Sequence, residues 1–141
     1  MIVLDTNVIS EMFRPHPNAR VVSWLESLTD AAVTAVTVGE ILGGVKRLPA
    51  GRRRTALVTA VDSVIAEYRA AQRILPFDDR AASAYAEVLI RREQAGMRIS
   101  TSDAQIAAIC RAHDARCATR NVKDFIDTGV DVLNPWEERA E

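Results

Sequence analysis

The chain has 141 residues, with 18 Lys and Arg against 19 Asp and Glu, so its formal net charge is −1. This length predicts one domain, and a hydrophobic content of 48% is ordinary for a globular protein. The charge excludes a uniformly basic nucleic-acid coat, and no apolar run is long enough to span a membrane. The two cysteines, Cys110 and Cys117, exclude a disulfide framework and a cysteine zinc site.

The first half of the chain alternates short apolar runs with helical patterns. Residues 1–4 predict a buried strand that ends at Asp5, and residues 6–13 predict a helix stopped by Pro15. Since the amino terminus has no basic residue before its apolar run, it is not a signal peptide, and we expect a cytoplasmic protein. Asn18 can cap a helix to residue 28. A strand at 31–36, a helix that opens at Thr37 and a long helix from about residue 52 to 72 follow.

The second half continues the same alternation. Residues 73–77 predict a strand, and Asp78 or Asp79 can cap a helix that runs to Gly96. A helix at 102–113 precedes strands at 115–119 and 130–133. Strands interleaved with long helices predict an α/β fold with a central, mainly parallel sheet of about five strands flanked by helices. We expect a single domain over residues 1–141, with a flexible acidic tail at 137–141.

Acidic and amide side chains follow the predicted strands. Asp5 ends the first strand, Glu40 and Asp103 lie in the first turns of later helices, and Asn121 and Asp124 follow the fourth strand. In open parallel sheets, ligands bind at the carboxyl ends of the strands, so one edge of the sheet could bring these residues together. A cluster of oxygen ligands favours Mg²⁺ or Mn²⁺.

Helix capping is the competing explanation for two of these acids. Thr37 with Glu40, and Ser102 with Gln105, match the spacing of a capping box, which would also leave the acid at residue 103 near a positive helix end. Asp5 fits this explanation less well. An acid directly after the MIVL run is expected to be buried, and a buried carboxylate is costly unless it is paired or bound to a metal ion.

Four segments together resemble PIN-domain ribonucleases, and most of all the VapC toxins of type II toxin–antitoxin modules in their FitB-like branch. The segments are IVLDTNVISE from residue 2, TVGE at 37–40, SDAQIAA from residue 102 and ATRNVKDF at 118–125. The resemblance covers residues 2–136. It implies a PIN-like fold and a metal-dependent endoribonuclease that leaves a 5′-phosphate and a 3′-hydroxyl.

The resemblance also assigns the residues. Asp5, Glu40 and Asp103 would be the catalytic acids that hold Mg²⁺ or Mn²⁺. The fourth catalytic position of the family, which is often acidic, falls on Asn121. Asp124 either contributes through a water molecule or only caps a short helix. Phosphodiester hydrolysis needs such a cation because carboxylates alone would repel the anionic substrate.

Substrate contacts are expected from polar and basic residues around the acids. Thr6, Asn7, Thr119 and Arg120 are candidates for binding the substrate, or otherwise for capping and turn formation. Arginine clusters could form basic flanks that follow an RNA backbone, or could be ordinary solvated faces. The clusters are Arg14, Arg52–Arg54, Arg91–Arg92 and Arg120.

Partners follow from the resemblance. A cognate antitoxin would cover the acidic groove and insert an Arg or Lys among the carboxylates, and operator DNA would be bound only through that antitoxin. The resemblance predicts a homodimer, built from the helices at 18–28 and 37–72, and a higher hetero-oligomer with the antitoxin. No membrane association is expected.

Two other functions stay open at the level of the sequence. The neutral Asn121 is compatible with a weakly active or inactive PIN module that acts mainly in a DNA-bound regulatory complex with its antitoxin. A phosphatase of the aspartyl-phosphate type is disfavoured, because it would carry a second Asp two residues after Asp5, where Asn7 stands.

Overall fold

The computed structural model describes residues 1–137, so the expected tail at 137–141 lies, apart from Glu137, outside the described residues. In the described part, five strands alternate with six α-helices and one short 3₁₀ helix. The strands are β1 (Ile2–Leu4), β2 (Ala31–Thr34), β3 (Ile74–Leu75), β4 (Arg116–Ala118) and β5 (Val132–Leu133). The helices are α1 (Thr6–Glu11), α2 (Ala19–Ser27), α3 (Ala35–Lys46), α4 (Arg52–Ala70), α5 (Asp79–Gln94) and α6 (Thr101–Ala112), with the 3₁₀ helix at Val122–Phe125.

The strands form one parallel sheet in the order β3-β2-β1-β4-β5. The first strand is central, since Ile2 pairs with Ala31 of β2 and with Arg116 of β4. This topology confirms the predicted α/β fold. Because all five strands point the same way, the segments that follow β1, β2 and β4 meet at one edge of the sheet.

Helices cover both faces of the sheet, which explains why the strands are continuous apolar runs. Val3 and Leu4 are both fully buried, on opposite faces of β1. Val3 belongs to the cluster that contains Val88 of α5 and Ile106 of α6, and Leu4 belongs to the cluster that contains Val61 of α4. Burial of each such side chain contributes about 1.5–3 kcal/mol. The backbone that leads into Asp5 is therefore fixed from both sides.

The helix after β2 begins earlier than the sequence pattern predicts. β2 ends at Thr34, and α3 begins at Ala35 rather than at Thr37. The reason is the Thr34 hydroxyl, which accepts a hydrogen bond of 3.1 Å from the Thr37 N–H and so caps the helix. Glu40 consequently lies in the second turn of α3, and the predicted capping box of Thr37 and Glu40 is wrong.

The cap of α6 also differs from the prediction. The Ser100 hydroxyl accepts a hydrogen bond of 3.1 Å from the Asp103 N–H, so the cap is Ser100, and the predicted box of Ser102 and Gln105 is wrong. Asp103 lies in the first turn, as predicted. The other predicted strands and helices are present, with ends that differ by at most two residues.

Arg92 of α5 is 3% exposed, so the prediction that it belongs to a basic flank is wrong. Its guanidinium instead donates to main-chain carbonyls. Nη1 lies 2.7 Å from the oxygen of Ile126 and 3.4 Å from that of Lys123, and Nη2 lies 2.5 Å from that of Arg98. This buried side chain ties the loop before α6 to the 3₁₀ helix.

The described part of the chain has two further features that bear on the first expectations. Cys110 and Cys117 are free and buried, one in α6 and one in β4. Across residues 1–137, none of the helices has the length and the apolar character that crossing a membrane requires.

Candidate active site

Asp5 lies directly after β1 and is 5% exposed. Three donors hold its carboxylate. The Thr6 N–H donates to Oδ1 at 2.8 Å, while the Thr119 hydroxyl and Asn7 Nδ2 donate to Oδ2 at 2.8 and 3.2 Å. The first of these bonds also caps α1. The orientation of this carboxylate is therefore set by the protein itself.

Asn7 and Thr119 connect Asp5 to the turn that follows β4. Asn7 Oδ1 accepts a hydrogen bond of 3.1 Å from the Arg120 N–H, and the Thr119 hydroxyl accepts one of 3.1 Å from the Asn121 N–H. Thr119 is fully buried, whereas Arg120 is exposed. Of the residues predicted to contact substrate, Asn7 and Thr119 thus have internal roles in shaping the edge, and Arg120 faces solvent.

Glu40 reaches the same edge from α3. Its side chain is exposed, and Oε1 accepts a hydrogen bond of 2.8 Å from the Thr6 hydroxyl. That hydroxyl also lies 3.0 Å from the hydroxyl of Thr37. Thr6 therefore joins two carboxylates, because its N–H binds Asp5 and its hydroxyl binds Glu40.

Burial raises the pKa of Asp5 above its ordinary value. The hydrogen bonds from Thr119 and Thr6 oppose this shift, and the negative charges of Asp103 and Glu40 add to it. The acids predicted from three separate segments therefore act on one another across a single edge. A cation bound between them would relieve the repulsion.

Asp103 has a raised pKa for related reasons. Burial is the largest cause, the Ser100 hydroxyl opposes it, and the charges of Asp124 and Glu40 raise the pKa further, with Arg92 acting in the other direction. The carboxylate lies in the first turn of α6, near the positive end of that helix. The site thus extends from the centre of the sheet to the 3₁₀ helix.

Asn121 and Asp124 both follow β4, but they lie in different surroundings. Asn121 is exposed, precedes the 3₁₀ helix and makes no side-chain capping bond. Asp124 lies inside that helix, so it does not cap it, and its charge acts on Asp103. Asn121 adds no charge to the cluster, whereas Asp124 adds a fourth carboxylate.

The donor set suits a hard divalent cation. Within residues 1–137, no three His, Cys, Asp or Glu side chains are close enough to enclose an ion by themselves. Mg²⁺ does not need such a cage, because it keeps several waters and binds one or two carboxylates. The carboxylates of Asp5, Glu40 and Asp103, of which Asp5 and Asp103 have raised pKa values, fit an ion that is bound partly through water.

A cavity of about 450 Å³ adjoins the Glu40 carboxylate between α1, α3 and α4. Thr6 and Glu40 line it, and Ile41 contributes to an apolar wall. Arg14 and Arg53, both predicted to form basic flanks, also line this cavity. We call it the α1–α3–α4 groove, and it joins an apolar surface and two cations to the acidic edge.

The PIN domain family model matches residues 2–130. The chain belongs to the PIN-domain family. Toxin FitB of Neisseria gonorrhoeae is 41% identical to this PIN-domain protein over 140 residues, covering 98% of the chain and 100% of the relative. VapC ribonuclease Y4jK of Sinorhizobium fredii is 37% identical over 139 residues, covering 97% and 99%. The structure of FitAB bound to an IR36 DNA fragment contains a chain with 40% identity and a TM-score of 0.94, with 99% of both chains covered.

These likenesses confirm the family resemblance drawn from the four segments. Sequence reasoning nevertheless missed two residues that support the edge of this PIN-domain protein. Arg92 continues the buried stripe of Ala81 and Val88 in α5, so its helical spacing could have identified it. Ser100 stands three residues before Asp103, which is itself a capping spacing.

Proposed function

We propose that this PIN-domain protein is the toxin of a toxin–antitoxin pair and a Mg²⁺- or Mn²⁺-dependent endoribonuclease. The observation that carries the proposal is the buried carboxylate of Asp5, whose pKa is raised by burial and by the charges of Asp103 and Glu40. Perturbed acids gathered at a sheet edge are typical of functional sites. The names of the relatives Toxin FitB and VapC ribonuclease Y4jK support the toxin and ribonuclease parts of the proposal.

Asp5, Glu40 and Asp103 would hold the cation, with Asp124 contributing through a water molecule. The bound ion would neutralise the carboxylates, polarise the scissile phosphate and lower the pKa of the attacking water. The protein orients this set unequally. Asp5 is fixed by three hydrogen bonds, whereas Glu40 is exposed and accepts a hydrogen bond from the Thr6 hydroxyl. Glu40 is therefore free to orient the attacking water and to take up its proton.

Asn121 would be the fourth catalytic residue. Its exposed amide follows the turn that the Thr119 hydroxyl holds, so it can bind a water or a phosphate oxygen at the acidic edge. We assign substrate contacts to Arg120 at the same turn and to Thr6 at the groove. Asn7 and Thr119 would support these contacts by fixing the turn on which Arg120 stands.

The α1–α3–α4 groove suits a segment of a cognate antitoxin. Its apolar wall offers a surface for a partner helix or strand, and Glu40 at its lining would attract an Arg or Lys from that partner. A basic side chain bound there would compete with the cation. The solved structure of FitAB bound to an IR36 DNA fragment, which contains a chain similar to this one, supports assembly with a partner.

A homodimer built from the helices at 18–28 and 37–72 is part of the same proposal. In α4, Val61 and Ile65 are buried whereas Val58 remains 37% exposed. A second copy that packs against this helix would cover Val58. Light scattering of the purified chain would measure the mass directly.

A regulatory role is the second candidate. The structure of FitAB with DNA favours it, because that relative is found on a DNA fragment. This chain has a net charge of −1, so an antitoxin would have to supply the contacts with operator DNA. Tight operator binding by the complex, together with no RNA cleavage by the free chain at any metal concentration, would support this role.

The deciding experiment measures cleavage of a total RNA pool by the full-length chain with Mg²⁺, with Mn²⁺ and with EDTA. We expect defined fragments that require the metal and that decrease by about a hundredfold or more in Asp5→Asn. Asp62→Asn is the matched control, since Asp62 is an exposed acid on α4. Equal cleavage by Asp5→Asn, or undiminished cleavage in EDTA, would show that another site or a contaminant is responsible.

A further inference from the structure

Aromatic residues are scarce in this chain, which has two Trp, two Tyr and three Phe. One of them lies at the acidic edge. Trp136 follows β5 and Arg120 follows β4, and these two strands are parallel neighbours. The Arg120 guanidinium carbon lies 5.1 Å from the centre of the Trp136 ring system, which is the geometry of a cation–π contact.

This pair is connected to the carboxylates through main-chain and side-chain hydrogen bonds. The Arg120 N–H donates to Asn7 Oδ1 at 3.1 Å, and Asn7 Nδ2 donates to Asp5 Oδ2 at 3.2 Å. Thr119, immediately before Arg120, donates its hydroxyl proton to the same Asp5 oxygen at 2.8 Å. The position of Arg120 is therefore tied to that of the central acid.

Trp136 is also held in place. Its ring packs against the cluster that contains Leu4 and Val8, and its main-chain N–H donates to Asn134 Oδ1 at 2.9 Å. The ring is half-buried, whereas Arg120 above it is exposed. In residues 1–137, Arg120 forms no ion pair with a carboxylate. Its charge and its planar group are thus available to a ligand.

We propose that Arg120 and Trp136 form a stacking platform for a nucleobase of single-stranded RNA, beside the phosphate that the acidic site hydrolyses. The inference rests on the proposed function, which supplies RNA as the ligand. Unpaired bases stack on aromatic rings and on guanidinium planes. The positive charge of Arg120 beside the acids also offsets their repulsion of the RNA backbone. Because the platform is tied to Asp5, a base stacked on it would set the register of the scissile phosphate.

Binding can be measured without cleavage. The variant Trp24→Phe leaves Trp136 as the only tryptophan of the full-length chain. In EDTA, we expect short single-stranded RNA oligonucleotides to quench its fluorescence. Matched oligonucleotides made abasic at each position in turn keep every phosphate, and one of them should lose most of the quenching. Equal quenching by all the abasic oligonucleotides would mean that only phosphates are bound, and would overturn the proposal.

Substitutions then separate the planar group from its charge. Arg120→Lys keeps the charge and removes the plane, and Trp136→Leu keeps an apolar side chain and removes the ring. Measured by fluorescence anisotropy of a labelled oligonucleotide, each should weaken binding by about tenfold, the size expected for one stacked base. Arg116→Lys is the matched control, since Arg116 is exposed at the opposite end of β4, and it should bind like the parent protein.

The remaining outcomes distinguish this inference from the proposed function. If metal-dependent cleavage requires Asp5 but Arg120→Lys and Trp136→Leu bind RNA normally, the platform is wrong and the ribonuclease stands. If the variants bind tenfold more weakly and no metal supports cleavage, the platform stands and hydrolysis fails. If Trp136→Leu lowers the melting temperature while Arg120→Lys keeps normal RNA affinity, the pair only anchors the segment after β5, which also overturns the proposal.

Discussion

Asp5 and Asp103 face the same edge of the sheet, but the protein holds them by different means. At Asp5 the carboxylate itself is held, by donors from Thr6, Asn7 and Thr119. At Asp103 it is mainly the backbone that is held, because Ser100 caps its N–H and the buried Arg92 binds carbonyls on either side. We call Asp5 with its three donors the Asp5 side, and Asp103 with Ser100 and Arg92 the Asp103 side.

The difference indicates that the two sides have different roles. The Asp5 side fixes the direction of one charge in advance, which favours a repeatable position for the cation. The Asp103 side fixes two loops and leaves its acids to respond to the ligand. Substitutions on the Asp5 side should therefore change the chemistry most, and substitutions under the Asp103 side should change the stability most. The three predictions below test this comparison, beginning with the largest expected change.

Arg92→Met should lower the free energy of unfolding by about 3 kcal/mol, because it removes a buried guanidinium that donates to the main-chain carbonyls of Ile126 and Arg98. Urea unfolding followed by circular dichroism measures this change. The control is Arg91→Met, in which the neighbouring exposed arginine is replaced and a change within about 0.5 kcal/mol is expected. Equal effects of the two substitutions would mean that Arg92 does not anchor the Asp103 side.

Thr119→Val should lower the free energy of unfolding by about 2 kcal/mol, because it removes a buried hydroxyl that donates to Asp5. The same hydrogen bond lowers the pKa of Asp5, so its loss should raise that pKa further and move the acidic limb of the cleavage–pH profile to higher pH. Thr119→Ser keeps the hydroxyl and should leave the limb in place. A limb that does not move in Thr119→Val would show that Asp5 is not the group being titrated.

Asp5→Asn should stabilise the metal-free protein at neutral pH. The folded pKa of Asp5 is raised above 3.8, so the folded chain keeps this proton where the unfolded chain has lost it. Stability therefore falls as the pH rises from 3.8 through the raised value, and it stays lower above that value. In EDTA we expect the variant to melt a few degrees above the parent protein. This difference in melting temperature should decrease as the pH is lowered.

Metal ion should reverse that order. If Mg²⁺ is held by the folded acids and not by the unfolded chain, it should raise the melting temperature of the parent protein and leave Asp5→Asn almost unchanged. Differential scanning fluorimetry over a magnesium series measures both curves. Two parallel curves would mean that Asp5 is not part of the cation site.

Much of the fold and of the candidate site could be predicted from the sequence. Asp5 directly after an apolar strand, and Asp103 at the start of a helix, follow from chain order because parallel strands share one carboxyl edge. The N-cap of α3 was harder to predict, because Thr34 and Thr37 are both of a residue type that caps helices. Only the length of β2 decides between them. Such local choices depend on register with the neighbouring strand.

Other features depend on contacts between distant segments. Arg91 and Arg92 are neighbouring residues of the same type. Only Arg92 lies on the buried face of α5, where main-chain carbonyls from two loops converge. The contact of Arg120 with Trp136 exists because β4 and β5 are neighbours. No pattern along the chain predicts that pair, since its two residues belong to different motifs.

The central position of β1 has a consequence for synthesis on the ribosome. Its partner β4 begins at Arg116, and the hydroxyl that holds Asp5 comes from Thr119. A nascent chain that has already exposed all three acids therefore lacks the strand and the donor that complete the site. Pairing over so long a separation in sequence is slow, because loop closure must precede it. The edge that we propose cleaves RNA is thus assembled only after β4 and Thr119 have left the exit tunnel, which delays its activity beyond the emergence of the three acids.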